Sequence, residues 1–379
     1  MKKIAAVVFF IAIAGFSLHA QLVPGIGIGA WARYVVAPIG GAGTFGENFS
    51  FWDDMYARNQ SNQNWLFPTR GKVGLATWGN SDFVGFNFDF AYEDGSLRVG
   101  DQAKIWVRPH EAVMLHFGRI EGNRLRSGIR GGRLTYTEEE NEIFTRFLVG
   151  SGMLVEFDPI ENLFVGFSLD LPRAAGVPHT FREMFHWDTP ENSYQIGIGY
   201  RFNFGHLRAQ FLGNGGGIWT GKPIQVAFAY TGIHNLVLEV GGLYPLRPLD
   251  FSPARATVAA EHSSGRWNMM GRATVVWWPE TLNAGTRLKL GSVIQYTVNF
   301  PLFLGVEIAY LSDHQGYVQQ RDHLPPVANG LDLFQICPFV GFRFGRGELR
   351  FGFHWEQNFR GDRTNFRFEF PIMLEVSFF

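Results

Sequence analysis

The sequence has a single cysteine, Cys337, among 379 residues. One thiol excludes an intramolecular disulfide and any site built from several thiolates, and in an exported chain it reads as a small packing residue. Long apolar runs are also missing: nowhere do about 18 apolar residues follow one another, so no helical membrane span is expected. Charge is scarce, at 18% of residues, and nearly balanced, with 33 Lys and Arg against 34 Asp and Glu. Nucleic-acid binding therefore has no electrostatic footprint. Catalytic spacing is absent as well. There is no HExxH and no zinc pattern, and the clusters GIGIG (25–29) and GNGGG (213–217) lack the lysine and helix of a phosphate loop. His262, followed by Ser263 and Ser264, falls in an expected tight turn without an acid beside it, and His186-Trp187-Asp188 reads as a loop contact. No enzymatic activity, metal or cofactor is expected.

Glycine and phenylalanine are abundant, with 46 and 38 residues, which makes the chain rich in turn formers and strand formers. Its first residues read as a secretory signal peptide: MKK is a short basic region, IAAVVFFIAIAGF an apolar run, and SLHA-Q offers cleavage after Ala20. The expected organisation is a signal peptide at 1–20 and one domain at 21–379.

The dominant pattern has period two. In TRLKLGSVIQYTVNF, Leu288, Leu290, Ile294, Tyr296, Val298 and Phe300 alternate with Arg287, Lys289, Gln295 and Asn299. The chain's last stretch, FRFEFPIMLEVSFF, sets Phe366, Phe368, Phe370, Ile372, Leu374, Val376 and Phe378 against Arg367, Glu369, Glu375 and Ser377. Each is a two-faced strand. Eighteen such strands are expected, at about 25–37, 70–78, 82–92, 97–108, 111–120, 145–157, 163–171, 193–204, 206–212, 223–231, 235–244, 253–261, 266–278, 286–300, 302–311, 333–344, 347–357 and 364–379. Every even-numbered link between them is tight. The odd-numbered links include the long ones, 38–69, 121–144, 172–192 and 312–332, with EDGS at 93–96 as the exception.

This alternation, with a leader, no helical span and aromatic-rich strands, resembles porin-type outer-membrane β-barrels of diderm bacteria. The resemblance implies an all-β fold, a closed antiparallel transmembrane β-barrel of 18 strands, with 16 as the alternative. It also implies short turns on the periplasmic side, lipid of the bacterial outer membrane around the barrel, and recognition of the C-terminal strand by the barrel-assembly machinery. A homotrimer is expected by the same analogy, although no stretch marks its interface. Closure requires the last strand to pair with IGIGAWARYVV, because a lipid-exposed backbone edge cannot be satisfied inside a bilayer. Whether Phe378 or Phe379 is the terminal aromatic of this class is open, since the apolar row runs back from Phe378.

In a barrel the apolar row faces lipid, and Trp78, Tyr92, Trp267, Trp277, Trp278 and Trp355 are candidates for its interfacial girdles. Parity turns the charged residues inward. Expected lumen residues are Arg33, Lys72, Arg201, Arg208, Arg272, Arg287, Lys289, Arg343, Arg350 and Arg367, with Asp89, Glu156, Glu239, Glu307, Glu348, Glu356 and Glu369. Such an interior must be wet, so the expected function is an outer-membrane pore for passive diffusion of small hydrophilic solutes. An interior that fills itself with salt bridges would go with about twelve strands. The link between the fifth and sixth strands carries Arg124, Arg126, Arg130 and Arg133, then Glu138, Glu139, Glu140 and Glu142. The resemblance implies that this loop folds into the barrel as its constriction, where opposed charges filter solutes and give a mild preference for anions. The other readings are a selective transporter of a sugar or apolar solute, and a barrel adhesin with exposed loops 38–69 and 312–332.

Overall fold

A computed structural model describes residues 25–36, 40–44, 72–93, 96–122, 124–125, 147–170, 194–213, 222–246, 253–279, 286–313, 331–359 and 365–378. The leader at 1–20 and most of the long links lie outside these residues. The described strands number eighteen once three interrupted ones are counted as single strands. They are β1 (Ile26–Val36 with Gly40–Thr44), β2 (Lys72–Asn80), β3 (Val84–Glu93), β4 (Ser96–His110), β5 (Val113–Gly122) and β6 (Phe147–Ile160). Then come β7 (Leu163–Asp170), β8 (Tyr194–Phe202), β9 (Gly205–Leu212), β10 (Pro223–Ile233), β11 (Leu236–Pro245) and β12 (Ala254–Ser264). The last six are β13 (Trp267–Trp277), β14 (Thr286–Asn299), β15 (Leu302–Asp313), β16 (Leu331–Phe344), β17 (Gly347–Gly352 with His354–Asn358) and β18 (Asn365–Glu369 with Ile372–Phe378).

Each strand pairs antiparallel with its sequence neighbours. The sheet closes on itself where β1 meets β18, with Ala30 opposite Phe378 and Val36 opposite Ile372. The molecule is an 18-strand closed antiparallel β-barrel, not the 16-strand alternative. The interruptions in β17 and β18 fall at proline: Phe353 donates to the carbonyl of Pro338, and Gly352 to that of Pro371. Neither proline has an N–H to return the bond, so the ladder breaks there. Tight links join β6 to β7 and β10 to β11, where Asn162 and Asn235 adopt φ of 68° and 60°. Asparagine tolerates this left-handed backbone better than most residues, which suits two-residue hairpin turns.

Burial runs opposite to that of a soluble protein. On β10, Gln225 and Ala227 are 0% and 1% exposed, whereas Ile224 and Val226 are 38% and 45% exposed. On β11, Glu239 is 3% exposed and its neighbour Val240 54%. Polar side chains thus point inward and aliphatic ones outward, the arrangement of a barrel solvated by lipid. A charge on the outer face at mid-depth would cost roughly 2–4 kcal/mol.

Two girdle candidates are corrected. Trp78 lies opposite Asn87 and over Gly27, on the inward face, and Trp278 lies beneath the Arg287 guanidinium on that same face. Tyr92 and Trp267 do point outward, at 39% and 47% exposure. His262 and Ser263 belong to the end of β12, not to a turn, and the His262 ring contacts the carbonyl oxygen of Asn235 at 3.1 Å.

Candidate functional site

The inward face is not uniform around the barrel. On β12–β14, alternation carries Arg255, Arg272, Arg287 and Lys289 inward, all at most 8% exposed, with Glu261 the one inward carboxylate among the described residues of these strands. Threonines lie among them: Thr257 and Thr274 share a hydrogen bond of 3.0 Å, and Arg272 Nε donates to Thr274 Oγ1 at 3.3 Å. Register sets Lys289 opposite Thr274, while Val276 stands between Arg255 and Arg287.

Among the described side chains, carboxylates dominate the inward face of β15–β18, where Glu307, Glu348, Glu356, Glu369 and Glu375 accompany Arg343 and Arg350. Arg350 pairs with Glu348 and stands 3.6 Å from Glu307, and Arg343 reaches Glu348 at 3.5 Å. Both guanidiniums also lie over aromatic rings, Arg343 over Phe303 at 4.5 Å and Arg350 over Phe339 at 4.9 Å. Gln335 Nε2 donates to Glu356 at 2.7 Å.

Between β5 and β6 the described residues include Arg124 and Leu125, and both lie within the barrel. Leu125 is fully buried in a cluster with Ile120, Leu154, Phe164, Ala227 and Ala259, residues that β5–β7, β10 and β12 turn inward. Its carbonyl accepts a hydrogen bond from Arg208 Nη1 at 3.1 Å, and Arg208 also pairs with Glu239. A Cβ at Gly199 would come within 3.1 Å of Leu125 Cδ2, so the glycine leaves this side chain room. Arg124 makes a bidentate pair with Asp158 at 2.8 and 2.7 Å and lies over the Phe164 ring at 4.3 Å. The chain therefore turns into the lumen as it leaves β5.

The other expected constriction residues, Arg126, Arg130, Arg133, Glu138, Glu139, Glu140 and Glu142, fall outside the described residues, as do His186, Trp187 and Asp188. Arg208, Arg272, Arg287, Lys289, Arg350 and Glu356 occupy inward positions, while Arg201 and Arg343 sit at strand ends beside tight turns and are exposed. Nothing is described of the side chains of Arg33, Lys72 and Arg367. Sequence reasoning missed Arg255, although its parity with Glu261 could have found it. It also missed Leu125, which sits among arginines in a charged stretch with no pattern to mark it as buried.

No protein-family model matches the chain, and no curated protein matches it in sequence. Among solved structures the barrel is similar to OccAB4 of Acinetobacter baumannii, with a TM-score of 0.55 at 8% identity over 93% of this chain and 98% of that one. It is also similar to OccD3 (OpdP) of Pseudomonas aeruginosa, with a TM-score of 0.54 at 11% identity over 94% and 92% of the two chains. A mutant porin of Rhodopseudomonas blastica aligns over 93% of this chain and all of that one, at 10% identity and a TM-score of 0.49. The likeness concerns the fold: the chain has the closed-barrel architecture of outer-membrane porins.

Proposed function

We propose that the protein is a pore of the bacterial outer membrane, exported through a signal peptide cleaved after Ala20, which lets small hydrophilic solutes diffuse through a constricted lumen. One observation carries this reading. A closed barrel of eighteen strands turns aliphatic side chains outward and arginine, lysine and glutamate inward. Barrels of about 16–18 strands leave an aqueous channel, and inward charge keeps that channel wet. The near-complete burial of Arg208, Arg255, Arg287 and Lys289 favours a narrow path over a wide one. The inward course at Arg124 and Leu125 supports assigning the narrowing to residues 121–144, with Arg124, Arg126, Arg130 and Arg133 as its basic side. In this reading the protein acts as a channel and not as an enzyme.

Reconstitution in planar bilayers tests the proposal. Purified mature protein should open discrete ion-conducting channels, and removing residues 128–142 should raise their conductance. Folded protein that inserts without passing current would reject the pore. Unchanged conductance in the shortened variant would place the constriction elsewhere.

A further inference from the structure

The inner wall formed by β2–β4 differs from the charged walls. Trp78 lies flat over Gly27 of β1, and Trp106 lies flat over Gly85 of β3; a methyl group at either glycine would overlap the ring. Each indole thus has one face on backbone, and both side chains retain partial exposure on the lumen side. Asn87 stands on the strand between the two tryptophans, with Lys104 opposite it on β4, two residues from Trp106 on one side and from Gln102 on the other. Asn87, opposite Trp78 in the register, donates from Nδ2 to Gln102 Oε1 at 3.1 Å. The Asn87 Oδ1 atom is buried and has no hydrogen-bond partner among the described residues. A buried acceptor left unmade is costly, so the Asn87 amide gains a bond if it turns toward a donor in the lumen. Two strand spacings and one two-residue step separate Trp78 from Trp106, about 12 Å at about 4.8 Å per strand and 3.3 Å per residue. That is close to the length of a disaccharide.

We propose that Trp78, Trp106, Asn87 and Gln102 form a binding subsite for a neutral saccharide on the lumen wall. The reading rests on the lumen being a solute path. The C–H face of a pyranose is apolar with a partial positive charge, so it stacks on the electron-rich face of an indole. Sugar hydroxyls supply the donor that Asn87 Oδ1 lacks and accept from the remaining amide N–H groups. Two platforms at this spacing hold two successive rings, and the Asn87 amide, held by Gln102, fixes the orientation. A few placed polar groups on an aromatic surface are the usual composition of a small-molecule site.

Maltose and cellobiose serve as probes in two measurements: ion current through single channels, and tryptophan fluorescence of the detergent-solubilised barrel. A saturable fall in current, with a saturable fluorescence change at the same concentrations, is expected for at least one disaccharide. Trp78→Ala and Trp106→Ala should each weaken it about tenfold, and Asn87→Ala should weaken it several-fold. Trp31→Ala removes an equivalent ring, seated over Gly74 on the same face, and should leave binding unchanged. Should an alanine variant fail to fold, Trp78→Phe and Gln102→Ala give the same test with the wall kept filled. An unsaturable current decrease that is equal in all variants would overturn the subsite. So would phenol binding with this tryptophan dependence while neither disaccharide binds. If no current flows, the pore reading fails on its own, and the fluorescence titration still decides the subsite.

Discussion

The inner faces of β12–β14 and β15–β18 are built on the same two-residue repeat and adjoin one another, yet they handle charge differently. On β12–β14 four cations face inward with one carboxylate, and threonine hydroxyls lie among them. Among the described side chains of β15–β18 five carboxylates face inward with two arginines, which are locked into ion pairs and onto the rings of Phe303 and Phe339. The described side chains of the first wall carry net positive charge. The second uses its charge internally, as a brace between strands. The two walls thus differ in the sign of their described charge and in how closely the β15–β18 arginines are braced, and the two sets create a field across the passage.

If that division is right, removing a brace should cost stability, and the largest effect is expected at Arg350. Arg350→Ala takes the guanidinium away from Glu307, which is 1% exposed, and from Glu348. Truncating one side of such a buried pair costs about 3–5 kcal/mol. The variant should lose its folded electrophoretic mobility at a clearly lower temperature than the parent; an unchanged transition would remove the distinction between the walls. A smaller loss is expected from Gly341→Ala. Its methyl would overlap the Phe303 ring, which is 1% exposed and held beneath Arg343. Overpacking of this kind costs about 1–3 kcal/mol, measurable in the same melting experiment.

The least effect on stability belongs to Arg124→Gln. Both partners of the Arg124–Asp158 pair are 43% exposed at the side chain, so solvent screens them and the pair contributes about 0–1 kcal/mol. Its consequence should appear in conduction, as a higher or noisier single-channel current once the inward segment loses that anchor. A stable barrel with unaltered current would show that Leu125 and Arg208 hold the segment without it.

Much of this was legible in the sequence because a barrel strand writes its two faces directly into parity. Arg287 and Lys289 alternate with Leu288 and Leu290, so face, strand and inward direction follow together. The tight even-numbered links pointed to eighteen strands with sixteen left open, and in the structure two of those turns hold Asn162 and Asn235 at positive φ. Parity is hardest to apply where a strand carries one charge at its very end. On β2, Lys72 shares its face with Gly74, Ala76 and Trp78, so the parity that turns Lys72 inward also turns Trp78 inward against its expected place in the girdle, and pairing with Asn87 agrees. Arg255 was hidden for a related reason, since its neighbours Ala254 and Ala256 are too small to mark an apolar row. Leu125 could not be read at all, because its burial depends on a cluster drawn from five strands, two of them, at Ala227 and Ala259, more than a hundred residues downstream.

The contrast between the walls is tested most directly by the zero-current potential of single channels in a salt gradient, compared between the parent and a variant with Arg255, Arg272, Arg287 and Lys289 all replaced by glutamine. The β12–β14 wall should give the parent an anion preference, and its neutralisation should leave the carboxylates of β15–β18 dominant, moving the potential toward cation selectivity while the barrel stays folded. A folded variant with the parent's potential would contradict the account, because the buried cations would then have no influence on what passes through the lumen.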